Sequence, residues 1–498
     1  MPKEKICIIG SGFSALSASC YLAQSGFQVE IFEKNETIGG RARQLKKEGF
    51  TFDIGPSWYW MPDVFESFFN DFNVSASDYY RLDKLNPAYK VFFENKESIL
   101  IEDTLEKIYL AFEREEKGSS KKLKKFIDAA RENYDIAIKD LVYRPGISPL
   151  ELITLDTIKR IGQFFSTVSR EVRKEFTNPK LIKILEFPVL FLGAKPSDTP
   201  AFYSFMNYAD FGLGTWHPKG GMYQVILAME KLAVSLGVTL HTQATVEKIH
   251  ITDNLVKELI INGEKVQADI VLSGADYHHS ESLLDPEYRQ YSEKYWAHKT
   301  FAPSSLLFYV GFNKKLKNIY HHNLFFDTDF EAHAKDIYDE PRWPDQPLFY
   351  ANFTSVTDID TAPEGMENGF FLIPLAPGLQ DTEELRELYF NKILTRFEYL
   401  TDQKVVNNII FKESFCVKDF IKEYNSYKGN AYGMANTLMQ TAFLRPKLKS
   451  KKVKNLFFTG QLTVPGPGVP PSLISGKLVA GLISSQFKQT RNSKPVAV

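Results

Sequence analysis

The sequence predicts an α/β fold in which a parallel-sheet domain is joined by a mixed-sheet domain and by a helical insertion. The chain has 498 residues, which is too long for one simple core. Its N-terminus runs from a short apolar segment through a glycine-rich turn into a helical pattern, as is typical of a βαβ unit. Helical patterns of mixed charge fill residues 105–200, and β-rich runs separated by Pro and Gly follow residue 295.

The order of these patterns divides the chain into three parts. A strand at 5–9, a helix at 15–24 and a strand at 28–33 form the βαβ unit, and a long helical pattern covers 150–176. A helix at 222–236, the alternating segments after it and a strand near 455–459 return to the first sheet. We therefore expect a discontinuous first domain at 1–80, 205–290 and 430–498, a substrate-binding sheet domain at 81–104 and 291–429, and a helical insertion at 105–204. The polar residues 488–498 are expected to be disordered.

The turn after the first strand carries a dinucleotide-binding motif. Gly10, Gly12 and Ala15 match the pattern G-x-G-x-x-G/A. The first allows the turn, the second lets a pyrophosphate approach the backbone, and the third lets the helix pack on the strand. Glu33 ends the next strand, where a carboxylate can accept the ribose hydroxyls of an adenosine. Together with the positive N-terminus of the helix, these residues predict a Rossmann-like fold that binds a dinucleotide.

The residues that follow Glu33 indicate which dinucleotide is bound. Gly39 and Gly40 let the main chain pass close to phosphates, and Arg41 can make a charge-assisted hydrogen bond to a phosphate oxygen. The stretch from Gly10 to Arg41 resembles the flavoprotein superfamily of amine oxidases, carotenoid desaturases and Rab GDP-dissociation inhibitors. In that superfamily a Gly-Gly-Arg segment lies along the pyrophosphate of FAD, so the resemblance implies FAD as the cofactor.

The C-terminal region is expected to complete the site. A strand that ends at Gly460 precedes a Pro- and Gly-rich segment at 465–472 that opens a helix. The free N–H groups of this helix could stabilise negative charge on reduced flavin. By the resemblance, Val246 pairs its backbone with adenine. The residues expected to bind FAD are Gly10, Ser11, Gly12, Phe13, Ser14, Ala15, Glu33, Lys34, Gly40, Arg41, Ala42, Gly55, Pro56, Ser57, Val246, Gly460 and Val469.

The substrate follows from a closer resemblance, to bacterial-type phytoene desaturases. It is carried by residues 49–56, the aromatic run at 57–62, the segment at 215–222 and the C-terminal Pro-Gly-Val-Pro-Pro. The resemblance implies successive dehydrogenation of 15-cis-phytoene towards lycopene in carotenoid biosynthesis, with a quinone or oxygen reoxidising the flavin. It also implies that Trp58, Trp216 and His217 contact the carotenoid. The sequence indicates no catalytic base.

Three alternatives stay open at this point. One is another carotenoid desaturase, such as a hydroxycarotenoid 3,4-desaturase, and another is a flavin amine oxidase. The third is a non-catalytic lipid carrier that resembles the GDP-dissociation inhibitors and has lost its flavin, although the intact glycines and Arg41 argue against it. For His217 a structural role is the alternative to proton transfer.

Composition excludes several other classes of protein. Lys and Arg number 60 against 61 Asp and Glu, so the net charge of −1 gives no basis for binding nucleic acid. Cys7, Cys20 and Cys416 lack the spacing of a metal site or a disulfide framework, which fits a reducing cytoplasm. We expect no metal.

The expected relation to membranes is peripheral. No apolar run approaches the roughly 18 to 20 residues that span a bilayer, so we expect the helical insertion to meet the membrane surface and admit a lipid-confined substrate. An aromatic content of 14% indicates an apolar tunnel. Two basic runs either attract anionic lipid or lie in solvated loops: Lys117, Lys121, Lys122, Lys124 and Lys125, and Arg445, Lys447, Lys449, Lys451, Lys452 and Lys454.

Overall fold

The computed structural model describes residues 4–492. Numbered along the chain, the strands are β1 Lys5–Ile9, β2 Gln28–Phe32, β3 Gln44–Lys47, β4 Phe50–Asp53, β5 Leu82–Lys84, β6 Tyr89–Phe92, β7 Ser98–Ile101, β8 Trp216–Pro218, β9 Thr239–His241, β10 Val246–Thr252, β11 Leu255–Ile261, β12 Glu264–Gln267, β13 Ile270–Ser273, β14 Ser304–Phe312, β15 His322–Phe325, β16 Phe349–Asn352, β17 Glu367–Leu375, β18 Ile409–Phe415 and β19 Leu456–Phe458. The α-helices are α1 Phe13–Gln24, α2 Pro62–Asn70, α3 Leu105–Glu115, α4 Ser119–Lys139, α5 Leu155–Lys159, α6 Ile161–Phe165, α7 Val168–Glu175, α8 Pro179–Glu186, α9 Phe205–Asn207, α10 Tyr223–Ser235, α11 Tyr277–Ser282, α12 Glu293–Ala297, α13 Phe330–Tyr338, α14 Glu383–Thr401, α15 Val417–Tyr424 and α16 Val469–Asn492.

A parallel sheet forms the core of the first domain, with the strand order β19-β13-β1-β2-β9. The central strand β1 pairs with β2 on one side and with β13 on the other. Because helices or other strands cover both faces, the apolar run of β1 is almost completely buried, as in other parallel sheets. Helix α1 connects β1 to β2 and packs against α16. The predicted βαβ unit is therefore confirmed.

The strands of this sheet come from three separate parts of the chain. β1 and β2 lie near the N-terminus, β9 and β13 between residues 239 and 273, and β19 at residues 456–458. A small antiparallel sheet of β10, β11 and β12 is inserted between β9 and β13. Residues remote in sequence thus meet at the carboxyl end of the parallel sheet, where α/β proteins bind their ligands.

A mixed sheet forms the second layer, in the order β18-β14-β17-β16-β15-β6-β7. The pair β15 and β6 is parallel and its other pairs are antiparallel. Every residue of β14 is buried. Phe308 faces helix α14, where its ring lies 4.9 Å from that of Phe390. Leu307, on the other face, belongs to an apolar core shared with the insertion. The sheet is therefore covered on both faces.

The insertion is helical, but the long helix predicted at 150–176 is wrong. This stretch contains the short helices α5, α6 and α7. Thr154 accepts a hydrogen bond from the Thr157 N–H, and Thr167 accepts one from the Arg170 N–H. Each threonine therefore caps the start of a new helix and interrupts the helical pattern.

The C-terminal helix is longer than predicted. Helix α16 continues to Asn492, so the prediction of disorder is wrong for residues 488–492. The rest of that tail, residues 493–498, lies outside the described residues. Among the helices of residues 4–492, none is long and apolar enough to cross a membrane.

Candidate functional site

The N-terminus of α1 opens into a large cavity. Gly10 has φ of 85°, a left-handed conformation that lets the chain turn from β1 towards α1. A Cβ added at Gly12, the residue before α1, would meet no atom within 4 Å. A Cβ added at Gly40 would lie 3.3 Å from the Cα of Gly12, so the two segments are in contact. The glycines therefore leave space free at the first N–H groups of the helix, where a pyrophosphate can bind.

Glu33 ties the glycine turn to the end of β2. Its Oε2 accepts hydrogen bonds from the N–H of Ser11 at 3.0 Å and from the Ser11 hydroxyl at 2.7 Å. Its Oε1 accepts from the N–H and from the side-chain amide of Asn35, both at 2.9 Å. The carboxylate, 5% exposed, faces the cavity. The Ser11 hydroxyl and the Asn35 amide can rotate away, so two ribose hydroxyls could take their places.

Arg41 is a cation of the cavity wall that makes no ion pair with a carboxylate in the described part of the chain. Its Nη2 donates to the Ser426 hydroxyl at 3.2 Å and to the Asn430 carbonyl at 3.4 Å. Its buried Nε has no partner among the described residues. Burial lowers the pKa of Arg41, and the nearby Asp276 opposes this shift. Asp276 compensates the charge only from beyond ion-pair distance, and the buried Nε lacks an acceptor among the described residues, so Arg41 fits an anionic ligand such as the pyrophosphate of FAD.

The start of α16 forms another part of the wall. The N–H of Gly460, just after β19, donates to the Ser475 hydroxyl at 3.1 Å and so ties the strand to the helix. Gly466 and Gly468 have φ of 135° and 114°, a region that favours glycine. They direct the chain so that α16 begins at Val469, in the cavity wall. A second helix N-terminus thus borders the space for the ligand.

A cavity of about 740 Å³ joins these polar elements to an apolar tunnel. The aromatic content predicted such a tunnel, and its side chains come from both the sheet domain and the insertion. The sheet domain and α13 contribute Leu307, Leu324, Phe330, Ala334, Ile337 and Leu372. The insertion contributes Ala137, Leu141, Phe164, Phe187 and Phe202, and α9, which follows it, contributes Phe205.

Trp58 lies at the junction between the polar and apolar parts. Its ring stacks on His322 with 4.0 Å between centroids, and it contacts the rings of Tyr89 and Phe187 edge-on or tilted. The Tyr350 hydroxyl lies 2.6 Å from His322 Nδ1. Burial lowers the pKa of His322 well below its ordinary value, so the imidazole is neutral at physiological pH. Neighbours on several sides therefore fix the orientation of Trp58.

Most residues predicted for the site meet in this cavity. Its wall contains Gly10, Ser11, Gly12, Phe13, Ser14, Glu33, Lys34, Gly40, Arg41, Ala42, Gly55, Pro56, Ser57, Trp58, Val246, Gly460 and Val469. Ala15 lies behind the wall and packs against Gly274. A Cβ added at Gly274 would lie 2.8 Å from the Cβ of Ala15. This contact explains the need for a small residue at position 15.

Trp216 and His217 are not brought to this cavity. They lie on β8, which pairs with β5. His217 Nε2 lies 3.2 Å from Asp358 Oδ2, and the Gly220 N–H also donates to that oxygen at 2.6 Å. Burial acts to raise the pKa of Asp358, but these two groups hold it below its usual value. The position of His217 supports the structural alternative.

Sequence reasoning missed the tunnel residues of the sheet domain. Leu307 and Leu372 lie on β14 and β17, where the residues around them are apolar on both faces of the strand, so no alternation indicates the inward face. Phe330, Ala334 and Ile337 follow helical spacing along α13. That spacing could have identified an apolar face, although not what it borders.

Comparison with known proteins defines the class. Residues 13–484 match the family described as flavin containing amine oxidoreductase. An oxidoreductase of Methanosarcina mazei has a similar fold, with a TM-score of 0.61 at 16% identity over 96% of this chain and 100% of that one. Fold and site thus define a flavin-dependent oxidoreductase, and its cofactor is FAD.

Two relatives narrow this class. The carotenoid 3,4-desaturase of Haloarcula japonica is 40% identical over 96% of this chain and 97% of its own length. The zeta-carotene-forming phytoene desaturase of Myxococcus xanthus is 31% identical over 96% of this chain and 93% of its own length. The chain belongs to the carotenoid desaturases of the flavin containing amine oxidoreductase family.

Proposed function

We propose that the protein is a carotenoid 3,4-desaturase, which forms a double bond near the end of a carotenoid chain. The observation that carries this proposal is the 40% identity, over nearly the full length of both chains, to the Haloarcula japonica carotenoid 3,4-desaturase. The cavity supports a carotenoid substrate, because an apolar tunnel leads directly from the cofactor site.

The polar groups in the sheet-domain part of the tunnel also support a hydrocarbon substrate. His333 lines the tunnel, and its Nε2 lies 2.9 Å from the Pro374 carbonyl. Its Nδ1 accepts a hydrogen bond from the Leu348 N–H at 3.0 Å. Burial lowers the pKa of His333 to about 4, so the ring is neutral at physiological pH. Because protein groups satisfy both nitrogens, a hydrocarbon leaves no polar group of this ring unpaired.

The second candidate is desaturation of 15-cis-phytoene towards lycopene. The 31% identity to the Myxococcus xanthus phytoene desaturase favours it, again over nearly the full length. Both candidate reactions remove two hydrogens from neighbouring carbons and differ in where these carbons lie along the chain.

The residues of the chain hold and orient the carotenoid. FAD, when bound, supplies the hydride acceptor. Transfer of a carotenoid from lipid into an apolar tunnel exchanges one apolar medium for another, so affinity depends on shape and packing rather than on burial from water. Trp58, fixed by its aromatic neighbours, is placed to set the position of the polyene at the junction with the cofactor site. The apolar walls exclude water from the reacting carbons.

Pigment analysis distinguishes the two candidates. We expect the gene, expressed in a host that accumulates lycopene, to yield a product with one or more additional conjugated double bonds and a longer absorption wavelength. In a host that accumulates phytoene, the 3,4-desaturase should leave the colourless substrate unchanged. Conversion of phytoene to coloured products would instead establish the second candidate. The yellow colour of the purified protein, with flavin absorbance, tests the cofactor separately.

We also propose that the insertion docks on a lipid bilayer. Six apolar side chains are exposed on residues 147–165: Ile147, Leu150, Ile153, Leu155, Ile158 and Phe165. Ser148, Glu151 and Phe164, among these residues in sequence, line the cavity. An exposed apolar patch beside a tunnel suits contact with the membrane that dissolves the substrate.

Vesicle binding tests this docking face. We expect the protein to co-float with phosphatidylcholine vesicles, and more so when phosphatidylglycerol is added, because lysines such as Lys124 and Lys125 are exposed on α4. The variant L155S/F165S should bind at least about 100-fold more weakly, since burial of each of the two side chains contributes roughly 1.5–3 kcal/mol. Ile359→Ser removes an equally exposed apolar residue outside the patch and is the control. Equal binding by all three proteins would contradict the proposal.

The acceptor that reoxidises FAD is proposed to be a quinone or oxygen. Turnover under nitrogen should stop after one equivalent of flavin is reduced, unless a quinone is added. Continued turnover under nitrogen without a quinone would contradict both acceptors.

A further inference from the structure

Arg445 is a buried cation, although its basic sequence run suggested an exposed position. The side chain is only 2% exposed. Its Nη1 donates to the Gln461 carbonyl at 3.2 Å, and its Nη2 donates to the Met434 carbonyl at 2.7 Å and to Asn436 Oδ1 at 2.5 Å. Its Nε is buried without a partner in the described part of the chain. All these acceptors are neutral, so nothing in this shell compensates the charge.

Arg386, another buried arginine, has carboxylate partners of the kind that Arg445 lacks among the described residues. Arg386 is bound by Asp381 at 2.6 Å and by Asp419 at 2.8 Å. Arg445 has no carboxylate within ion-pair distance among residues 4–492, and the phenols of Tyr203 and Tyr295 only partly oppose the effect of burial on its pKa. Burial lowers the pKa of Arg445 to about 10, which leaves it protonated at neutral pH. An uncompensated buried charge costs several kcal/mol, so a bound ligand is the natural source of the missing negative charge.

The position of the guanidinium indicates which part of the ligand it faces. Two residues that accept its hydrogen bonds, Asn436 and Gln461, line the cavity. A Cβ added at Gly466, three residues before α16, would lie 3.2 Å from Nη2. Arg445 therefore lies directly behind the wall, beside the helix N-terminus at Val469. Arg41 contacts a different set of residues, which includes Ser426 and Asn430.

We propose that Arg445 supplies positive charge that stabilises the reduced, anionic form of the bound flavin and so raises the reduction potential of FAD. Transfer of a hydride to the cofactor adds one negative charge, whereas the oxidised form is neutral. A fixed positive charge in a dry wall therefore favours the reduced form. A more oxidising flavin suits removal of a hydride from a carbon chain that carries no heteroatom. The inference rests on the FAD site and not on which carotenoid is the substrate.

The midpoint potential of FAD in the purified holoenzyme tests this inference, by equilibration with a reference dye and without any carotenoid. In Arg445→Met we expect the equilibrium constant for reduction to fall at least tenfold, which is about 30 mV for a two-electron couple. Arg445→Lys keeps the positive charge and should have a midpoint potential close to that of the wild type. Arg81→Met removes an exposed arginine just before β5 and should leave the potential unchanged.

A second variant covers the case in which Arg445→Met does not fold. Asn436→Asp keeps the shape of the side chain and places a carboxylate against Nη2, so it neutralises Arg445 in place. It should lower the potential in the same direction. An unchanged potential in Asn436→Asp, or in Arg445→Met with normal FAD content, would overturn the proposal. Weaker FAD binding with an unchanged potential would also overturn it, because Arg445 would then serve the pyrophosphate. Wild-type protein that binds no flavin would overturn the cofactor site as well.

Discussion

The cradle at α1 and the tunnel beyond Trp58 recognise their ligands by different means. The cradle uses backbone N–H groups, glycines and Arg41, and most of its residues lie in two short segments near the N-terminus. The tunnel uses apolar side chains brought together from segments as distant as Phe205, Ala334 and Leu372. The cradle at α1 is therefore encoded mostly by local sequence, whereas the tunnel is assembled by the tertiary fold. Changes in the cradle should remove FAD from a folded protein, and changes in the tunnel should alter turnover while FAD stays bound.

The largest effect is expected from Gly12→Ala. The added Cβ meets no atom within 4 Å and Gly12 has φ of −73°, so the apoprotein should fold. The methyl group would occupy the space that lets a pyrophosphate approach the helix. We expect FAD affinity to fall at least about 100-fold, which corresponds to about 3 kcal/mol. Flavin absorbance per protein measures the loss, and circular dichroism checks the fold.

A matched glycine serves as the control for this variant. A Cβ added at Gly481, on α16, also meets no atom within 4 Å. Gly481→Ala should keep its FAD and gain roughly 0.5–1 kcal/mol in stability, because alanine favours a helix interior. Full FAD content in Gly12→Ala would show that the pyrophosphate does not pass over this glycine.

A tenfold effect on turnover is expected from Ala334→Phe. Ala334 lies on α13 in the tunnel wall, and the larger ring would shorten the space for a carotenoid. FAD content should not change, because the cradle is remote in the chain and is not altered. Ala332→Phe adds the same ring at an exposed position of the same helix and is the control. Equal turnover by both variants would mean that the substrate does not reach α13.

The contrast between the cradle and the tunnel also explains which residues of the site could be predicted from the sequence. β1, α1, Glu33 and Arg41 were predictable because the motif, its strand and its helix are adjacent in the chain. The tunnel residues were not predictable, because β14 is apolar on both faces. Which face borders the ligand depends on the packing of α14 on one face and of the insertion on the other.

Arg445 is a charged residue whose burial could not be predicted from the sequence. Five lysines follow it in a basic run, which is typical of an exposed segment. It is buried because the remote carbonyls of Met434 and Gln461 accept its hydrogen bonds. Only the fold brings these acceptors to it.

The smallest effect on function is expected from Asp210→Asn. Asp210 contacts Trp58 only indirectly, through Tyr89. Tyr89, which contacts Trp58, donates to Asp210 Oδ2 at 2.7 Å, and Oδ1 has no partner among the described residues. Burial raises the pKa of Asp210 from 3.8 to about 8. The folded protein therefore holds this proton between pH 4 and 8 while the unfolded chain releases it, so stability falls as pH rises through this window.

An asparagine cannot ionise, so it should remove this pH-dependent penalty. We expect Asp210→Asn to raise the free energy of unfolding by roughly 5 kcal/mol at pH 8, with a gain that shrinks towards zero near pH 4. Urea unfolding midpoints at both pH values measure the gain, and Asp63→Asn, whose partner Tyr134 is also a phenol, is the control. A gain that is the same at both pH values would come from packing rather than from the proton. A pH-dependent gain would show that the apolar tunnel is supported by a carboxyl group that stays neutral because the fold keeps water from it.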